Sequence, residues 1–188
     1  ERGYYCPVNS TSPTQIPCPP GRYGSDPGQV DEYCTATCPL GHYCPAGTAD
    51  PIKCPGGVYG NTTGLVSAEC SNECWEGGCE PNLCQEGYYC PEGSIHARQY
   101  QCGGPKYFCP TGSSEPSTVK VGFYSIGPFP FEDARARVDQ MLCPVGHYCR
   151  DGIKILCPQG TYGNSTGLIY NTTMNDFDQC DGLCPLGH

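Results

Sequence analysis

Cys38-Pro-Leu-Gly-His-Tyr-Cys44 is the stretch from which the rest of this chain can be read. The same spacing, Cys-x-x-Gly-x-Tyr-Cys, returns as Cys84-Gln-Glu-Gly-Tyr-Tyr-Cys90 and as Cys143-Pro-Val-Gly-His-Tyr-Cys149. A further copy opens at Cys184, and Gly3-Tyr-Tyr-Cys6 carries the second half of another. A second motif alternates with the first: Cys-Pro-x-Gly-x-Tyr-Gly, beginning at Cys18, Cys54 and Cys157. Each copy of it is followed by a Cys-x-x-x-Cys pair, Cys34/Cys38, Cys70/Cys74 and Cys180/Cys184. Self-similarity at a period near 40 residues marks a tandem array. The incomplete motifs at the two ends lead us to expect a piece of a longer one.

Composition agrees with this reading. Eighteen cysteines in 188 residues, an even number, point to a disulfide framework made in an oxidising compartment. Val, Ile, Leu and Phe number only 28, too few for one large apolar core. Gly (26) and Pro (20) work against long helices. The fold class expected is small and disulfide-rich: an elongated tandem array of cysteine-rich modules with short β-ribbons and little helix. The modules are expected at residues 1–40, 41–86, 87–145 and 146–188. The second carries an extra cysteine, Cys79, and the third a cysteine-free insertion, 110–142. With a net charge of −9, nucleic acid and anionic membranes are poor partners. No stretch approaches the ~20 apolar residues of a membrane span, so direct membrane insertion is not expected.

Within the insertion, Val121-Gly-Phe-Tyr-Ser125 echoes the Gly-x-Tyr core, with Val119 where a cysteine would stand. Gly-x-Tyr stretches suit two-stranded ribbons with glycine in the turn. Tyr23, Tyr59 and Tyr162 are expected to lie over disulfides as the apolar payload of their modules. Phe131 to Leu142, with acids at its start, is the one helical candidate, and it is short enough to form a single turn or none.

The alternation of Cys-Pro-x-Gly-x-Tyr with Cys-x-x-x-Cys-Pro-x-Gly-x-Tyr-Cys resembles the ephrin-receptor-like cysteine-rich repeats, which are distantly similar in style to tumour necrosis factor receptor modules. The run from Cys102-Gly-Gly-Pro-Lys-Tyr-Phe-Cys109 to Cys157-Pro-Gln-Gly-Thr-Tyr-Gly163 looks most like such arrays in large extracellular proteins of algae and other protists. The resemblance implies disulfide-laddered modules stacked end to end. It says little about function, because such repeats occur in proteins of many roles.

Two disulfide schemes remain open on spacing. In one, the long loops close (Cys18–Cys34, Cys54–Cys70, Cys157–Cys180) and the short motifs close on themselves (Cys38–Cys44, Cys84–Cys90, Cys143–Cys149). Cys74–Cys79 and Cys102–Cys109 then pair locally, leaving Cys6 and Cys184, whose short-motif partners would lie outside the sequence. In the other, first pairs with third and second with fourth, as in Cys6–Cys34 and Cys18–Cys38. The first is favoured because it accounts for the two odd cysteines, although its local rings are tight.

Four sequons, at Asn9, Asn61, Asn164 and Asn171, predict N-linked glycans, with Asn61 and Asn164 at equivalent points of the repeat. His42, His147 and His188 share one slot, but tyrosine fills it elsewhere and oxidised cysteines are not zinc ligands, so no metal is expected. Val30-Asp-Glu-Tyr-Cys34 lacks the remaining ligands of a calcium site and reads as a solvated turn. No cofactor other than the glycans is expected. No catalytic motif is present, and the chain is not expected to be an enzyme. Phe123, Phe129 and Phe131 cluster where crosslinks are sparsest, either as a local core or as an interface. The function expected is that of a structural, N-glycosylated, extracellular repeat segment. It would self-associate into a filament or surface appendage such as a flagellar hair or glycofibril. A spacer or ligand-binding stalk of a receptor or adhesion ectodomain is the alternative.

Overall fold

The structure, a computed structural model, describes residues 1–71, 80–127, 135–173 and 179–185, together with the strand backbone of 74–75 and 78–79. It is a disulfide-rich assembly of two-stranded ribbons, with no helix among the described residues. The ribbons are β1 (Tyr4–Tyr5) with β2 (Ile16–Pro17), β3 (Arg22–Tyr23) with β4 (Ala36–Thr37), and β5 (His42–Tyr43) with β6 (Ile52–Lys53). Next come β7 (Cys74–Trp75) with β8 (Gly78–Cys79), β9 (Tyr88–Tyr89) with β10 (Tyr100–Gln101), and β11 (Tyr107–Phe108) with β12 (Ser117–Thr118). Two longer ribbons follow, β13 (Phe123–Ile126) with β14 (Asp139–Leu142) and β15 (His147–Arg150) with β16 (Ile153–Leu156). The last is β17 (Thr161–Tyr162) with β18 (Gly182–Leu183).

The motif dictates where each ribbon begins. In Cys18-Pro-Pro-Gly-Arg22, the Arg22 N–H donates to the Pro19 carbonyl (3.1 Å), closing a turn whose third residue is Gly21 at φ 80°. A residue with φ > 0 at that position is what a type II turn requires, and glycine meets it without strain. The chain then runs out as β3, and returns as β4 into the cysteine of the next motif, whose N–H donates to Gly21 O (2.8 Å). The degenerate copy behaves alike: Phe123 N–H donates to Lys120 O (3.0 Å) and Gly122 has φ 81°.

The chain forms two compact units. Unit 1 comprises residues 1–85, 89–100 and 112–115; unit 2 comprises 86–88, 101–111 and 116–188. Inside unit 1 the same bonds recur motif after motif. The turn N–H donates to the seventh position of the next motif, from Gly3 to Gly24, Gly21 to Cys44 and Gly41 to Gly60, each at 2.8 Å. The seventh-position N–H donates one loop further on, from Gly24 to Thr48 and from Cys44 to Leu65 (2.9 Å each). The loop glycine returns a bond, from Gly47 to Cys18 (2.9 Å) and from Gly64 to Cys38 (2.8 Å). Unit 2 repeats the set with Gly146 to Gly163 (2.7 Å), Cys149 to Leu168 (2.9 Å) and Gly167 to Cys143 (2.7 Å). The backbone thus repeats once per motif, and the period near 40 residues is a pair of motifs that differ in their crosslinks.

The core is sulfur. The buried apolar side chains are almost all half-cystines, joined by Val58, Leu65, Ala136 and Tyr148. Tyr43 packs on the cluster of Cys54, Val58, Leu65 and Cys70. Of the expected apolar payload, Tyr23 and Tyr59 are half-buried, and the expectation is revised for Tyr162. Tyr162 is 43% exposed, with its ring 3.2 Å from where a Cβ on Gly182 would stand, whereas Tyr148 of the cysteine-ended motif is only 6% exposed. The helical candidate is also revised: Asp139–Leu142 is β14, paired Phe123↔Leu142 through Ile126↔Asp139. Of the rest of that candidate, residues 135–138 are described and not helical, and 131–134 lie outside the described residues.

Candidate functional site: crosslinks and glycan acceptors

Seven disulfides are present among the described residues: Cys18–Cys34, Cys38–Cys44, Cys54–Cys70, Cys84–Cys90, Cys102–Cys109, Cys143–Cys149 and Cys157–Cys180. These are pairings of the first scheme. Cys6 is half-buried and Cys184 exposed, both as thiols. The side chains of Cys74 and Cys79 lie outside the described residues, but their backbones are directly opposed in the β7–β8 ribbon. Each of the seven bridges closes within one motif and the loop that follows it.

In six of the seven described bridges the residue at the seventh position matches the pairing, while Cys102–Cys109, separated by seven, stands apart. Where the seventh residue is cysteine, it bonds the first cysteine of its own motif. Where it is glycine, that first cysteine fills the space. A Cβ on Gly24 would stand 2.9 Å from Cys18 Sγ, one on Gly60 2.9 Å from Cys54 Sγ, and one on Gly163 2.8 Å from Cys157 Sγ. With the near position filled by a hydrogen, the sulfur reaches across the loop to Cys34, Cys70 or Cys180. The degenerate motif has neither arrangement. Ser125 occupies its seventh position, is 4% exposed, and donates its hydroxyl to Pro105 O (2.6 Å). A hydrogen bond thus stands where the sister motifs carry a crosslink.

Two further contributors escape a reading of spacing. Leu65, in Asn61-Thr-Thr-Gly-Leu65, is fully buried, and its Cδ1 would meet a Cβ on Gly60 at 2.8 Å. Leu168 stands equivalently, 3.2 Å from a Cβ on Gly163. The repetition of Asn-(Thr/Ser)-Thr-Gly-Leu was visible in sequence, but it serves packing as well as the turn.

Of the predicted glycan acceptors, Asn9, Asn61 and Asn164 are exposed. Asn9 has φ 71°, a left-handed conformation that asparagine tolerates better than most residues. Asn61 and Asn164 each follow the seventh-position glycine, so they hold the same place in their motifs. Asp181 Oδ2 accepts from the N–H groups of Asn164 and Ser165, each at 2.7 Å, and fixes that loop. Thr35 does the same for Ser25 in the first glycine-ended motif, accepting its N–H at 2.9 Å. Asn171 differs in being half-buried. Its Oδ1 accepts from Thr173 N–H (3.0 Å) and Thr173 Oγ1 (2.7 Å), and its carbonyl accepts from buried Gln179 (2.9 Å).

The histidine slot serves the turn. His42 Nδ1 lies 2.9 Å from Leu40 O and His147 Nδ1 3.1 Å from Val145 O; His188 is outside the described residues. Asp31 Oδ1 accepts from Tyr33 N–H (3.0 Å), which makes the acidic stretch before Cys34 an Asx-turn. Among the described residues no three His, Cys, Asp or Glu side chains are grouped to hold a metal. No described helix is long and apolar enough to cross a membrane. Phe123 is half-buried on β13; Phe129 and Phe131 lie outside the described residues. No protein-family model matches the chain, and no curated protein matches it in sequence.

Proposed function

We propose that this chain is a structural, N-glycosylated, ephrin-receptor-like repeat segment of an extracellular protein. It serves as a self-associating unit of a filament or surface appendage, of the flagellar-hair or glycofibril kind, and not as a catalyst. The observation that carries this reading is the set of backbone bonds recurring once per motif in both units. Tight turns, glycine contacts and buried polar groups are spent on coupling a repeat to its neighbour, which is what a quasi-one-dimensional scaffold needs. Exposed acceptors at equivalent places, Asn61 and Asn164, would put sugar at a regular interval. The abundance of disulfides fits secretion.

Electron microscopy of the native, non-reduced parent protein tests the proposal. Regular fibres containing this chain as the repeating unit, with density beyond Asn61 and Asn164, are the expected result. Monodisperse particles that never associate at any concentration would overturn it and favour a receptor or adhesion stalk.

A further inference from the structure

A cleft of 410 Å³ opens in unit 2, where the array departs from its own pattern. It is lined by the degenerate motif at Val119 to Phe123 and by the hairpin turn of β15–β16. The ribbons that supply these residues have four residues per strand, in place of two elsewhere. Gly152, in its lining, is held from behind. Ser125 N–H donates to Gly152 O (2.9 Å) and the Ser125 hydroxyl to Pro105 O (2.6 Å). Gly152, at φ 77°, lies so close to Pro105 that no side chain fits there. The cleft therefore exists before any ligand arrives.

Its chemistry runs against that of the whole chain. Net charge is −9, yet six of the ten Lys and Arg residues fall between Lys106 and Lys154. Lys106, Lys120 and Arg150 line the cleft, and Asp151 is the only acid among the described residues that line it. Asp151 stands 3.8 Å from both Lys106 Nζ and Arg150 Nε, too far for hydrogen bonds and, at about 60% exposure, well screened. The Arg150 guanidinium lies 4.2 Å over the Tyr170 ring. A ring orients a cation without neutralising it, so the positive charge stays available. Half-buried Phe123 adds an apolar face.

We propose that this cleft binds an acidic polysaccharide. Its sulfate or uronate groups would meet Lys106, Lys120 and Arg150, and a sugar ring would lie against Phe123. Three separated cations match anions repeated along a chain, and an aromatic face is what a pyranose offers its apolar side to. An acidic peptide would supply carboxylates but no such face. The proposal stands on unit 2 alone and does not depend on filament formation.

The test is affinity electrophoresis of the oxidised chain in gels containing dextran sulfate, alginate, neutral dextran or polyglutamate. Retardation by dextran sulfate and alginate, but not by dextran, is expected. The exposed pair Lys106→Ala/Lys120→Ala should weaken it by roughly tenfold or more, and Lys120→Glu alone should weaken it too. Lys53→Ala, in unit 1, should leave it unchanged. Absence of retardation at low salt, or equal retardation of both cleft variants, would overturn the proposal. Retardation by polyglutamate as strong as by the polysaccharides would overturn it in favour of an acidic peptide.

Discussion

Gly60 has room for a hydrogen and nothing larger, with Leu65 Cδ1 and Cys54 Sγ at 2.8 and 2.9 Å from any Cβ built there. Its φ is not in the left-handed region, so substitution tests space alone. Gly60→Ala should destabilise the non-reduced protein by ~1–3 kcal/mol, read from guanidinium melts. Gly60→Cys makes a sharper test, because it recreates the cysteine-ended motif. Peptide mapping without reduction should find a Cys54 to position 60 bridge and a free Cys70 thiol. An intact Cys54–Cys70 bridge would contradict a pairing set by the seventh position. The pairing scheme was favoured from sequence because it left over only Cys6 and Cys184, although spacing alone kept a second scheme open. The role of the glycine was not legible. It was present in the motif, but nothing in the letters says that the neighbouring sulfur points at it. Leu65 was missed for a related reason: a lone leucine after a turn carries no periodicity, and only the folded loop brings it beneath Gly60.

At the scale of the element, the β13–β14 ribbon folds without its own crosslink. Ser125→Ala should cost ~1 kcal/mol, the net worth of one buried hydrogen bond plus the unpaired Pro105 carbonyl. Val119→Cys combined with Ser125→Cys restores the motif and should form a bridge worth ~2 kcal/mol through the small loop it closes. The gain in melting temperature should vanish on reduction. If no bridge forms, the degenerate motif does not share the geometry of its sisters. The same ribbon shows what the sequence left open. Phe131 to Leu142 has the acids and spacing of a short helix, yet Asp139–Leu142 pairs with Phe123–Ile126. A helix this short is marginal alone, and a ready partner strand decides its conformation. The turns were legible because glycine at φ > 0 is a local requirement; the strand was not, because its partner lies beyond a loop.

For the whole molecule, the scarcity of apolar side chains in the core makes disulfides the main source of stability. Reduction with a phosphine should abolish near-ultraviolet circular dichroism and fast-exchange protection together in both units. A reduced protein that kept its protected Gly21 and Gly146 amides would show that the backbone bonds suffice. Thr63→Ala and Thr166→Ala should each remove one glycan mass from the native secreted protein while sparing the fold, since each sequon is lost without touching its asparagine.

Each bridge joins a motif only to itself or to its own loop, so no described covalent link ties one repeat to the next except the main chain. Pulled from its ends, such a chain has little slack to surrender: every locked loop stays short after its hydrogen bonds rupture. The longest bridgeless stretch is Pro110 to Leu142. Once torn open it can lengthen by ~3.4 Å per residue, up to about 110 Å in all before subtracting its folded span. It would lengthen furthest, as a built-in shock absorber between shorter, crosslinked loops.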